Sequence, residues 1–224
     1  MASRAELLAR GRTFLEGAGS REPEACAQWL LAEVLGMGRL EPLADPGAAV
    51  PPPAERRFMS LARKKAAGLP LSYVLGWHDF MGLRLKVGPG VLVPRPETEE
   101  LTELCARLTL ELRGGAPADI LDFCAGSGCV AAGLADRLPR ARVTAVEKSA
   151  RALRYAESNA AEHGGGRIRA LPGDNFRGLG PFDVIAANPP YIPAGVIPGL
   201  DQEVLREPRV ALDGGGDGLK VVRM

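Results

Sequence analysis

The chain has 224 residues, 46% hydrophobic and 25% charged, and its 28 basic and 27 acidic side chains leave a formal charge of +1. That balance argues against a strongly basic nucleic-acid surface, and no apolar stretch approaches the ~20 residues needed to span a bilayer. Cys26, Cys105, Cys124 and Cys129 are scattered and the two histidines stand apart, so no metal site or disulfide framework is indicated; reduced, buried thiols in a cytoplasmic protein are expected.

The first third reads as helices. Leu7, Leu8, Phe14 and Leu15 lie near helical spacing, as do Cys26, Trp29, Leu30, Val34 and Leu35 before a stop at Gly36. Pro51-Pro52-Pro53 breaks the chain ahead of a helix over 54–67, whose basic end (Arg63-Lys64-Lys65) suits a helix C-terminus. Residues 1–67 are thus predicted to form a small helical domain of the kind that grips a partner. Over 68–97 the pattern alternates around glycines, including Tyr73-Val74-Leu75-Gly76 and Phe80-Met81-Gly82-Leu83, which predicts a β-hairpin linker. A helix over 97–113 follows, with Thr98 as its expected N-cap.

From Ala118 strands and helices alternate. Strands are expected over 119–123, 142–146, 168–171 and 182–187, and helices over 128–137 and 149–162, within a domain spanning 98–224. This rhythm predicts an α/β fold with a doubly wound, mainly parallel sheet.

The ends of all four strands carry candidate site residues. After the first strand, Gly126 and Gly128 allow close backbone approach to a ligand beneath a helix N-terminus. With Ala131 at the third position this is also a tolerated dinucleotide-binding pattern, so the loop alone leaves a dehydrogenase open. Glu147 ends the second strand, 19 residues after Gly128, where a carboxylate can accept ribose hydroxyls. Gly173-Asp174-Asn175-Phe176 follows the third strand. The fourth ends in Asn188-Pro189-Pro190-Tyr191, where two prolines stiffen the backbone and lack N–H donors. An amide, fixed carbonyls and an aromatic ring there suit recognition of a planar NH2 group.

Together, Asp122-x-x-x-Gly126-x-Gly128, Glu147, Asp174 and Asn188-Pro189-Pro190-Tyr191 resemble the class I S-adenosylmethionine-dependent methyltransferases. More narrowly the chain resembles the protein N5-glutamine methyltransferases that modify peptide-chain release factors. The likeness runs from about Arg10 onward and includes Val91-Leu92-Val93-Pro94-Arg95-Pro96-Glu97-Thr98-Glu99, Glu207-Pro208-Arg209-Val210-Ala211-Leu212-Asp213-Gly214-Gly215 and Asp217-Gly218-Leu219. It implies a Rossmann-like methyltransferase domain behind the helical domain, with S-adenosylmethionine held by Asp122, Cys124, Ala125, Gly126, Ser127, Gly128, Glu147, Asp174, Asn175 and Asn188. It also implies a glutamine gripped by Asn188, Pro189, Pro190 and Tyr191, of which Asn188, Pro189 and Tyr191 are the catalytic set. Two residues depart from the pattern. Cys124 stands where glycine is usual, which argues against a positive φ at that position, and Glu147 stands where aspartate is usual.

The Asn188 oxygen and the Pro189 carbonyl are expected to accept the two amide hydrogens while Tyr191 packs on the amide plane, so that positioning supplies the rate. The expected partner is a release factor met by a monomer, without nucleic acid or membrane. Adenine methyltransferases share the Asn-Pro-Pro-Tyr motif and remain the alternative reaction, although the flanking segments and helical domain are foreign to them. A second alternative is a non-catalytic binding protein. A complete class I sheet has further strands, which would follow a helix beginning at Leu219-Lys220-Val221-Val222. The expectation is therefore a chain shortened at its C-terminus and poorly active, with strand 182–187 left as an apolar edge.

Overall fold

A computed structural model describes all residues 1–224, which divide into two compact units, Met1–Leu75 and Gly76–Met224. The first contains α1 (Arg4–Gly17), α2 (Pro23–Leu35), α3 (Pro52–Ala66) and α4 (Leu71–Leu75). Ser3 and Glu6 open α1 with reciprocal hydrogen bonds, Glu6 N–H to Ser3 Oγ at 3.2 Å and Ser3 N–H to Glu6 Oε2 at 2.8 Å. Leu7, Leu15, Leu30, Leu31 and Phe58 are fully buried in one core. Gly11 is required there, because a Cβ would lie 2.5 Å from the Phe58 ring.

The predicted strand character of Tyr73-Val74-Leu75 is corrected. This stretch is α4, started behind Pro70, whose carbonyl accepts the Tyr73 and Val74 N–H groups, and Val74 joins the helical core. Tertiary burial overrides the local alternation.

The hairpin is shorter than expected. Strands β1 (Trp77–Phe80) and β2 (Leu83–Lys86) pair antiparallel around Met81-Gly82, whose φ values of 54° and 83° suit a tight two-residue hairpin turn. Met81 tolerates that backbone because its N–H donates to Glu99 Oε1 at 2.9 Å.

Four parallel strands form the main sheet in the order β5-β4-β3-β6: β3 (Ala118–Phe123), β4 (Ala141–Glu147), β5 (Ile168–Pro172) and β6 (Val184–Ala187). The chain runs outward from β3 through β4 to β5, then crosses to the far side of β3 for β6. The order reverses there, which opens a crevice at the carboxyl ends of the strands. The register levels those ends, since Phe123 pairs with both Val146 and Ala187. Cys124, Glu147 and Asn188 therefore emerge side by side.

One face of the sheet packs Ile120, Val143, Ala145 and Ala186 beneath the hairpin, α5 (Pro96–Arg113) and α6 (Cys129–Arg137), with α7 (Ala150–His163) beside α6. The other face carries Leu121, Phe123 and Val146 against Leu171, Leu179, Phe182 and Val221. Strand β6 is an edge, and its Ile185 is 51% exposed.

Two local expectations are revised. Pro96 opens α5 at its first residue, with Arg95 in the capping position, so Thr98 is a buried residue of the first turn and not the cap. Leu219-Lys220-Val221-Val222 forms a turn, not an extended helix, and its Lys220 N–H bonds the Gly214 carbonyl. A short helix, α8 (Arg209–Leu212), precedes it.

Candidate active site

The crevice holds two cavities. The first, about 180 Å³, lies over the end of β3 between the glycine loop, Glu147, Asp174 and Lys220-Val221. Cys124, Gly126 and Gly128 have φ values of 63°, 57° and 75°, so the loop takes a left-handed step at every second residue. This corrects the expectation for Cys124: a non-glycine residue occupies the positive-φ position, at a cost of about 1–2 kcal/mol. The fold holds it there by the neighbouring bond from Ala125 N–H to the Val146 carbonyl, 3.1 Å. Gly128 is needed for space as well as φ, because a Cβ would sit 3.2 Å from the Ala156 backbone on α7. At Gly126 the Cβ position is open, with Val91 the nearest neighbour at 3.9 Å, so the loop offers an unfilled cradle to a ligand.

Glu147 reaches back over that loop. Its Oε2 accepts the Gly126 N–H at 2.8 Å and its Oε1 the Ser149 N–H at 2.6 Å, coupling loop and α7 through one carboxylate. Asp122 is fully buried and accepts the Ala131 N–H at 3.0 Å. Burial pushes its carboxyl up to about 7 against the pull of that N–H. Ser127 Oγ is buried without a hydrogen-bonding partner, since its polar neighbour, the Cys129 thiol, is a weak one. Both Cys124 and Cys129 line the cavity, and burial pushes both thiols up to about 12, so neither is a thiolate nucleophile at neutral pH.

Asp174 stands in the wall, 3.5 Å from Lys148 Nζ, and its carboxyl lies below the usual range, first through the Asn175 amide and then through Lys148. Asn175 itself does not line the cavity. Its Nδ2 donates to Asp174 Oδ1 at 3.1 Å and its Oδ1 accepts the Arg177 N–H at 3.1 Å, so both ends of the amide serve the local turn.

The second cavity, about 220 Å³, lies on the α5 side, between Leu92, Arg95, Glu97, Leu101 and the Asn-Pro-Pro-Tyr corner. Pro189 and Tyr191 line it, whereas Pro190 lines the first cavity. Asn188 and Thr98 stand in both walls, and Asn188 Nδ2 donates to Thr98 Oγ1 at 3.1 Å. Tyr191 is 63% exposed at the rim.

Three further residues hold this arrangement and were invisible as individuals in the sequence. Glu207 is buried and joins Arg95 Nη2 at 2.5 Å and the Val93 N–H at 3.2 Å. Burial raises its carboxyl, with Arg95 opposing. Asn159, wholly buried on α7, accepts the Lys86 N–H at 2.8 Å and donates to the Lys86 and Ser127 carbonyls at 3.0 and 2.9 Å, tying the hairpin to the glycine loop. Thr98 was visible as a helix cap and as one member of the 91–99 segment. No local spacing signals any of these contacts.

The open cradle, the unpartnered Ser127 hydroxyl and a largely apolar hollow ending in carboxylates fit an amphipathic nucleoside such as S-adenosylmethionine. Residues 6–76 match the family model described as the PrmC N-terminal domain, and 104–223 match the methyltransferase small domain. Among curated relatives, the release factor glutamine methyltransferase of Geobacter sulfurreducens is 38% identical over 216 residues, 95% of this chain and 74% of that protein. Those of Moorella thermoacetica and Deinococcus radiodurans are 41% and 39% identical, covering 93% and 97% of this chain and 74% and 77% of theirs. Among solved structures, the hMettl16 catalytic domain in complex with the MAT2A 3'UTR hairpin 6 superposes with a TM-score of 0.52 at 18% identity, over 73% of this chain and 60% of that one, a likeness of fold. With its two cavities and these matches, the chain belongs to the release factor glutamine methyltransferases, S-adenosylmethionine-dependent enzymes acting on a protein glutamine.

Proposed function

We propose that the first cavity binds S-adenosylmethionine and the second receives a release-factor glutamine, most simply that of a Gly-Gly-Gln loop, with Asn188 at the junction. The observation carrying this reading is that Asn188 belongs to both walls. When bound, S-adenosylmethionine supplies an electrophilic methyl group and a thioether leaving group. The chain's own part is positioning. An amide nitrogen is a weak nucleophile because its lone pair is delocalised, so its approach direction must be fixed. The Asn188 side-chain oxygen and the Pro189 carbonyl accept its two hydrogens, the stiff Pro189-Pro190 backbone holds that carbonyl, and Tyr191 closes over the amide plane. The donor would supply the methyl carbon for the new N–C bond, its sulfur would keep the electron pair of the S–C bond, and the surplus N–H proton would leave to solvent. Gly126, Gly128 and Ser127 would hold the donor's amino-acid end, and Glu147 and Asp174 its nucleoside end.

The helical unit is proposed to contribute to substrate recognition, the protein to act as a monomer, and the target to be protein and not nucleic acid. A release-factor substrate places the reaction in the cytoplasm. Offering labelled S-adenosylmethionine with release factor, ribosomal protein and DNA tests this. Label on a release-factor glutamine is expected; label on DNA adenine would replace this reading with the alternative.

A further inference from the structure

We propose that a basic hollow beside the cofactor cavity docks an acidic segment of the protein substrate, away from the reacting glutamine. The inference rests on the release-factor reading above. Arg151, Arg154, Tyr155 and Ser158 recur on α7 at helical spacing and so share one face. With Lys86 from β2 and with Pro89 they line a hollow of about 380 Å³. Arg151 and Arg154 are exposed, and neither guanidinium has a hydrogen-bond or ion-pair partner. Lys86 is shared, meeting Glu162 at 3.0 Å and donating to Ser158 Oγ at 3.1 Å.

The fold shapes this hollow closely. Tyr155 packs on Val87, Val91 and Ala152. A Cβ on Gly88 would stand 2.5 Å from the Tyr155 hydroxyl, and one on Gly90 would overlap Arg151 Cδ, so two glycines let the loop after β2 close against α7. The same loop leads to the reaction. Pro89 lines the hollow, Gly90 and Val91 the cofactor cavity, and Leu92 both the cofactor and the glutamine cavities. Three residues of extended chain reach about 10 Å. A specific protein interface covers about 800 Å² per partner, so a protein with a glutamine in the second cavity is large enough to cover the hollow too. Two free guanidinium forks suit carboxylates. A continuous phosphate backbone suits the surface less well, because it would also meet Glu157 and Glu162 on the same helix.

The test uses the full chain, charge-reversed variants and whole release factor as substrate. Arg151→Glu/Arg154→Glu should raise the KM for release factor about tenfold, with kcat and S-adenosylmethionine affinity within about twofold. Arg154→Glu alone leaves the contact of Arg151 with Gly90 intact and should raise the KM about threefold. Added salt should raise the wild-type KM and change that of the double variant less. Arg169→Glu makes the same change of charge at an exposed position on β5 and should leave the KM within about twofold. A wild-type KM in both folded hollow variants overturns the inference alone, as does an equal rise in Arg169→Glu. Weakened binding of a short RNA duplex with an unchanged KM for release factor would assign the hollow to a phosphate backbone and overturn it as well. A wild-type chain that does not methylate release factor overturns the functional reading, and this inference with it.

Discussion

Glu207 closes on Arg95 at 2.5 Å across 112 residues of sequence, and its other oxygen takes the Val93 N–H. One buried carboxylate thereby fixes the segment ahead of α5 against the segment ahead of α8, on either side of the second cavity. Glu207→Gln keeps the shape and an acceptor for Val93 but leaves Arg95 unpaired. With Arg95 a third exposed, the expected loss is about 2 kcal/mol, below the 3–5 kcal/mol of a fully buried pair. Denaturant unfolding measures it, and the KM for the protein substrate should rise while cofactor affinity holds.

Asn159 offers a sharper test of how the glycine loop is held. Asn159→Leu fills the space but leaves the Lys86 N–H and carbonyl and the Ser127 carbonyl without their partner. A destabilisation of about 3 kcal/mol is expected. S-adenosylmethionine binding, followed by calorimetry, should weaken more than release-factor binding, because the loop and not the second cavity is released.

Asp122 gives the protein a pH dependence. Burial raises the folded carboxyl to about 7, above its ordinary 3.8, so between those values the folded protein keeps a proton that the unfolded chain has lost. Stability should therefore fall as pH rises from about 4 to about 7 and level off above. Asp122→Asn removes this titration and retains an acceptor for the Ala131 N–H. Its unfolding free energy should be flatter across that range and higher at pH 8, by up to about 4 kcal/mol.

Cys124 tests the strain in the loop. At φ 63° a glycine is unstrained, and Cys124→Gly should recover about 1–2 kcal/mol of backbone strain while losing about 0.5–1 kcal/mol to greater freedom of the unfolded chain. Thermal unfolding should show a small net gain in stability, and a clear loss would mean that the thiol's packing outweighs the strain.

Much of the fold was legible because it follows from local pattern. The strand–helix rhythm after Ala118 placed β3, β4, β5 and β6 with small errors at their ends, and the glycines at 126 and 128 marked the loop. The misreadings share a physical cause. Tyr73-Val74-Leu75 alternates like a strand yet is helical, because Pro70 starts a turn and Val74 enters a helical core. Cys124 looked unsuited to positive φ, and the strand register imposed it. Thr98 looked like a cap, and Pro96 displaced that role to Arg95. The pairings Glu207–Arg95, Asn159–Ser127 and Asn188–Thr98 join residues distant in sequence, and only folding brings them together.

The placement of Asn188 in both cavity walls is the centre of the account, and comparing methyl transfer with cofactor binding in Asn188→Ala tests it most directly. The account predicts that transfer to a release-factor glutamine falls about a hundredfold or more, while S-adenosylmethionine affinity changes only a few-fold. An equal loss of transfer and cofactor binding, or transfer that survives the substitution, would contradict it.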